Sequence, residues 1–357
     1  MQRFNSILNQ AVKKIPSILL NFLPLISLVV PFIIIYFYQG VAFPPYPYML
    51  YPPDVYTDTF ETVWKGRAFY FFFVWFACLE IIFGWERLQF KVSSDMHSVR
   101  TITFILSLLF PTIYAVVANF YGLNVLIKDW TYEITNEYCD WMPLAVEYLV
   151  FALAFVLVVF LQYGNNGLKT ILCSPILLGV IGILYTIDNV FPYGHFMPFQ
   201  ILTPITVILA EIVLNFLGYK TSIIYITDPK YEWMPVLTVW NSKDPVYSRV
   251  ALGIAWVCSG VESLMLYTLL MLFFLRNIDA SRRRKVAYFI VGAVITYLIN
   301  ILRIVTLFIL AMNFGVNSLQ FHRFHDYHSQ LISILWIALY PLIITGRSLW
   351  GKITSFL

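Results

Sequence analysis

The sequence predicts an all-α polytopic membrane protein of about eight transmembrane helices, with one interfacial amphipathic helix and a small external loop carrying short strands. Two observations carry that expectation. Hydrophobic residues make up 60% of the 357 and charged residues 12%, a balance that excludes water as the main solvent. Stretches of about 20 residues almost free of charge recur along the chain, the length a helix needs to cross roughly 30 Å of hydrocarbon. The net charge of +4 is small and its basic residues gather in particular loops, so it reports orientation, and no nucleic-acid partner is expected.

The spans fall at roughly 17–38, 67–84, 102–121, 143–163, 169–187, 252–275, 286–312 and 328–345. The first follows Arg3, Lys13 and Lys14, and its long core reads as a retained signal anchor. Loops after the first and third spans hold Asp54, Asp58 and Glu61, then Asp129, Glu133, Glu137 and Asp140. The second loop holds Arg87, Lys91 and Arg100, and the segment before the seventh span holds Arg276, Arg282, Arg283, Arg284 and Lys285. The positive-inside rule then puts the N-terminus, the second loop and the Arg-rich loop in the cytoplasm, and Arg347 and Lys352 put the C-terminus there too. The stretch 198–217 would break this parity if it spanned. Its Gln200, Pro204, Glu211 and Asn215 line one helical face, so it is assigned to the outer interface or to a re-entrant helix. Residues 218–251 form the largest external loop, with strands expected at 223–227 and 236–240. The chain reads as a single membrane domain over 1–357, with 1–190 of unassigned role and 198–345 as a core that carries the chemistry.

Ionisable residues inside spans are the functional suspects, because hydrocarbon penalises a central Arg by about 2.5–3.5 kcal/mol on insertion scales. Arg303 lies 18 residues beyond Lys285, which at 1.5 Å per residue is about 27 Å up a helix and near the outer boundary. Asn300 shares its face. Cys258 sits in Cys258-Ser259-Gly260-Val261-Glu262-Ser263, a turn or two into a helix entering from outside, at the same depth as Arg303. Ser259 and Glu262 give that turn a polar side, and Gly260 permits close approach of a neighbouring backbone. His322, His325 and His328 precede the final span, again at the outer boundary. The other cysteines, Cys78, Cys139 and Cys173, show no CxxC spacing, so neither a disulfide framework nor a metal site is expected, and no cofactor is required.

A thiol, a guanidinium and an imidazole at one level suit acyl transfer. A neighbouring base or cation raises the thiolate fraction, arginine steadies an oxyanion, and histidine moves the proton. For Arg303 alone, a structural ion pair with Glu262 is an equal reading. The rival for the whole chain is a transporter or channel using Arg303 and Glu262 in its substrate path, which would place charge at several depths.

These residues resemble the three motifs of the archaeosortase/exosortase family of membrane-embedded cysteine transpeptidases. Cys258-Ser259-Gly260 resembles the nucleophile motif, and Glu262 looks more like the archaeal branch. Asn300-Ile301-Leu302-Arg303 resembles the NxxR motif. The third motif is a histidine opening the last helix, here His328, with His325 as the alternative base. The resemblance covers about 198–345, with spacings of 45 and 25 residues between the three positions; the Gly that often follows the histidine by four residues is absent after His328. It implies a cysteine protease/transpeptidase whose partners are secreted or surface proteins with a C-terminal motif, a hydrophobic helix and a basic tail. Cleavage would pass through a thioester at the extracytoplasmic face, and the new carboxyl end would join an amine acceptor, often a membrane lipid.

Overall fold

The computed structural model describes residues 20–35, 67–88, 99–136, 141–226, 233–241 and 244–356. The expectations for Asp54, Asp58, Glu61, Lys91, Glu137, Cys139 and Asp140 lie outside them. Among the described residues, seven helical stretches are long and apolar enough to cross a membrane: Ala68–Arg87, Val99–Phe120, Met142–Thr170, Cys173–Val190, Met197–Phe216, Arg282–Phe314 and Leu319–Ile344, with a shorter apolar helix at Leu20–Ile35. The protein is an all-α polytopic membrane protein with one small sheet.

The helices are α1 (Leu20–Ile35), α2 (Ala68–Gly84), α3 (Val99–Phe120), α4 (Leu123–Thr135), α5 (Met142–Thr170, kinked at Gly164) and α6 (Cys173–Val190). After a turn at Met197–Gln200 come α7 (Thr203–Phe216), strands β1 (Tyr219–Tyr225), β2 (Pro235–Asn241) and β3 (Asp244–Gly253), then α8 (Val261–Asn277), α9 (Arg282–Phe314) and α10 (Ser329–Phe356). The residues Asp129 and Glu133, expected in a loop, lie on α4, which starts after Gly122.

In lipid the apolar effect does not drive helices together, so packing detail and hydrogen bonds must. Large apolar side chains such as Leu106, Leu153 and Leu335 face outward. Inside, Tyr70 stacks on Phe32 at 4.3 Å and lies 4.5 Å from Tyr148, centroid to centroid, joining α1, α2 and α5. Polar side chains tie the last three helices. The Tyr267 hydroxyl donates to the Phe289 carbonyl at 2.8 Å, the Tyr340 hydroxyl donates to the Tyr288 carbonyl at 2.8 Å, and Trp336 Nε1 donates to Thr296 at 3.1 Å. Gly292 makes this possible, since a Cβ there would sit 2.2 Å from the Tyr267 hydroxyl.

Two corrections concern the chain before Cys258. The sheet has three antiparallel strands in the order β1-β2-β3, and β3 takes Asp244–Gly253, which the sequence divides between an unstructured loop and the start of a span. Consequently the span expected over 252–275 is shorter. Its helix starts at Val261, and its 17 residues reach only about 25 Å. Cys258 is therefore not a turn or two into a helix but in a 3₁₀ turn, Trp256–Ser259, just ahead of one. Two residues of the polar face of 198–217 are spent on this sheet, because Thr221 of β1 donates to Glu211 at 2.9 Å and to Asn215 at 3.0 Å. The core beneath joins Val207, Ala210 and Leu214 of α7 to Leu237, Val239, Ile301, Ile304 and Phe308.

Arg67 and Glu147 form the deepest ion pair among the described residues, 1% and 0% exposed, with Nε to Oε1 at 2.8 Å and a second guanidinium contact at 2.9 Å. Tyr70 adds a hydrogen bond to Glu147 at 2.9 Å. Removing one member leaves a buried charge alone, so Glu147→Ala is expected to lower stability by about 3–5 kcal/mol. The double variant Arg67→Met/Glu147→Leu is expected to recover most of it, checked by thermal unfolding in detergent; a double variant no better than the single would contradict this.

Candidate active site

The turn that carries Cys258 is short, and every part of it is tied down. Trp256 is fully buried and packs against Phe199, with ring centroids 5.1 Å apart. Ser259 closes the turn by donating its hydroxyl to the Trp256 carbonyl at 2.6 Å. Gly260 has φ +89°, a left-handed conformation that ends the turn and starts α8, and a Cβ there would lie 2.9 Å from the Asn300 amide. Through that gap Asn300 Nδ2 donates to the Cys258 carbonyl at 2.9 Å. From the other side Thr206 on α7 donates to the Ser259 carbonyl at 3.0 Å and shares a 2.8 Å contact with the Tyr297 hydroxyl. Backbone carbonyls of a non-helical turn beside lipid need such partners.

Arg303 stands three residues beyond Asn300 on α9, so the bond that anchors the turn also sets the guanidinium near it. Both Cys258 and Arg303 line a cavity of about 260 Å³, together with Glu262 and His325. His325 comes from a π-helical turn, Phe324–His328, which widens the entry into α10. Its ring stacks on Phe321 at 5.9 Å, its Nδ1 contacts Asp326 Oδ1 at 2.8 Å, and Ser329 donates to its carbonyl at 3.0 Å. The thiol of Cys258 and the imidazole of His325 face the same cavity, near enough for the charge of one to act on the other.

Of the sequence candidates, the structure thus brings together Cys258, Arg303 and His325. Ser259, Gly260 and Asn300 shape the turn, and Glu262 lines the cavity. His328 is exposed and does not line this cavity. The reason is the wide turn, which splays the two histidines where an α-helix would set them on one face. Residues missed by sequence reasoning are Trp141, Tyr185 and Asp188 from the first 190 residues, and Asp326 and Gln330 beside the histidines. Asp188, an ionisable residue near the end of α6, was the signal available, since α6 continues past the expected end at 187.

Cys258 lies in the turn ahead of α8, outside the spans. Burial pushes its thiol up, while the neighbouring His325 imidazole and then the charge of Arg303 more than offset that, so the thiol falls below its ordinary value. Its thiolate should therefore appear at lower pH than that of a free cysteine. Alkylation rate against pH is expected to show a midpoint below that of an ordinary thiol, and His325→Ala is expected to move it upward. An unmoved midpoint would show that the imidazole does not act on the sulfur.

Comparison with known proteins adds an independent line. No curated protein and no solved structure matches the chain. A family model described as transmembrane exosortase matches residues 63–340, which takes in α2 to α9, the first part of α10 and every residue of the cavity. On that match over most of its length, the chain belongs to the transmembrane exosortase family.

Proposed function

We propose that the protein is a membrane-embedded cysteine transpeptidase with Cys258 as nucleophile, His325 as acid and base, and Arg303 as oxyanion stabiliser. The observation that carries this reading is that Cys258, His325 and Arg303, from three separate elements, line one cavity. Family membership supports the same class of reaction.

The steps follow from the geometry. The Cys258 thiolate attacks the scissile carbonyl, and the negative charge that grows on its oxygen is met by the Arg303 guanidinium, which stays protonated. Asp326 holds Nδ1 of His325, so Nε2 is the nitrogen left to exchange a proton with the sulfur, the relation by which a carboxylate orients a catalytic imidazole. The imidazolium hands its proton to the leaving amine, and the acyl group remains on sulfur as a thioester. An incoming amine then gives a proton to His325 and attacks the thioester, expelling the thiolate. Asn300, Ser259 and Gly260 serve by holding the nucleophile turn still.

The substrates proposed are secreted or surface proteins whose C-terminal motif is followed by a hydrophobic helix and a basic tail. Such a helix would lie alongside the bundle and present its motif at the boundary. With Arg282–Lys285 at the cytoplasmic interface, α9 rises about 27 Å by Arg303, nearly the full hydrocarbon thickness, which supports an active site at the extracytoplasmic face and both termini in the cytoplasm. The acceptor proposed is an amine carried by a membrane lipid.

Coexpression with a tailed surface protein tests the assignment through C-terminal trimming. Cys258→Ala is expected to lower trimming about 10³-fold or more, His325→Ala and Arg303→Gln each by about 10²-fold or more, and His328→Ala to leave it close to wild type. Undiminished trimming in the Cys258→Ala variant would sink the enzymatic reading, and loss in His328→Ala with retention in His325→Ala would return the base to the other histidine.

A further inference from the structure

One side of the cavity plays no part in the acylation chemistry. Trp141 ahead of α5 and Tyr185 and Asp188 on α6 face the reaction centre from the first 190 residues, and Glu262 joins them from the first turn of α8. The two rings stand 6.2 Å apart between centroids and are tilted by 38°. Three carboxylates and one guanidinium line the cavity, and Asp326 is held by His325. That leaves Asp188 and Glu262 against Arg303. Among the described residues neither carboxylate closes a salt bridge, and Glu262 Oε1 is shut from solvent without a hydrogen-bond partner. An unpartnered buried carboxylate oxygen calls for a donor, and a carboxylate pair beside aromatic faces is the usual surrounding of an ammonium group.

We propose that Asp188 and Glu262, with the rings of Trp141 and Tyr185, form the subsite for a cationic primary amine, the acceptor's ammonium head. The proposal rests on the reading above and adds the site that selects the acceptor. The cavity admits an aminoalkyl head beside the thioester, while the rest of a lipid acceptor stays in the membrane. In the second half-reaction the bound ammonium loses one proton to His325, and its nitrogen attacks the thioester carbonyl. The C–N bond forms as the C–S bond breaks. The thiolate leaves to face the imidazolium, and the second N–H proton passes by a carboxylate to water. Holding the amine at high local concentration also favours transfer over hydrolysis.

The test uses the full-length enzyme in membranes, a tailed substrate protein and two acceptor probes: ethanolamine, which is cationic near neutral pH, and hydroxylamine, which is not. Asp188→Asn and Glu262→Gln are each expected to cut transfer to ethanolamine about ten-fold more than transfer to hydroxylamine, the loss of one charge-assisted hydrogen bond. Asp188→Glu is expected to restore most of the ethanolamine preference. Equal losses with both probes, or no loss with either, would overturn the subsite while leaving the nucleophile assignment intact. A wild-type enzyme that shows no Cys258-dependent cleavage would overturn the underlying reading, and the subsite with it.

Discussion

The arrangement depends on a single hydrogen bond, from the Asn300 amide to the Cys258 carbonyl across the space that Gly260 leaves open. A cysteine in a non-helical turn near lipid carries backbone carbonyls that no helix satisfies, and each costs several kcal/mol if left bare. Asn300 meets that need for Cys258 and Thr206 meets it for Ser259, so the turn is clamped from α9 and α7 together. Because Arg303 follows Asn300 by three residues, the clamp also fixes the height of the guanidinium against the sulfur. A side chain at Gly260 would press on the Asn300 amide and separate the two halves of the site.

The remaining helices hold their own buried polar groups in the same way, and in doing so they carry the far wall of the cavity. Glu80 of α2 accepts hydrogen bonds from the backbone of Cys173 and Ser174, capping α6 at its start. Asn189 accepts from the Trp141 backbone at 3.2 Å, tying the start of α5 to the end of α6, where Tyr185 and Asp188 enter the site. Tyr148 bridges inward, with its ring 5.8 Å from Tyr185 and 4.5 Å from Tyr70, whose hydroxyl meets the Arg67–Glu147 pair. The segment 1–190 thus gains a role that its sequence does not announce.

The sequence makes the long-range solvent pattern legible and leaves local geometry hidden. Hydropathy locates the spans, since their length and apolar character follow from the bilayer itself. Arg303 and Asn300 stand out because a charge in hydrocarbon needs a reason, and Cys258 through the polar residues that follow it. The choice between His325 and His328 is not legible, because it turns on a π-helical turn that no periodicity of side chains encodes. The helix expected around Cys258 fails because β3 claims 244–253 through pairing with β2, a tertiary contact that overrides the hydrophobic run. Trp141, Tyr185 and Asp188 escape notice because nothing in their spacing links them to residues more than a hundred positions away.

The central claim is that the sulfur of Cys258 meets residue 325 and not residue 328, and proximity can be measured without any turnover. In a background with Cys78, Cys139 and Cys173 replaced by serine, His325→Cys and His328→Cys each create a thiol pair with Cys258. Dibromobimane becomes fluorescent only when it bridges two thiols a few ångströms apart. Strong fluorescence from the 258/325 pair and little from the 258/328 pair is the predicted result. Bridging of 258 to 328 with none to 325 would contradict the site described here.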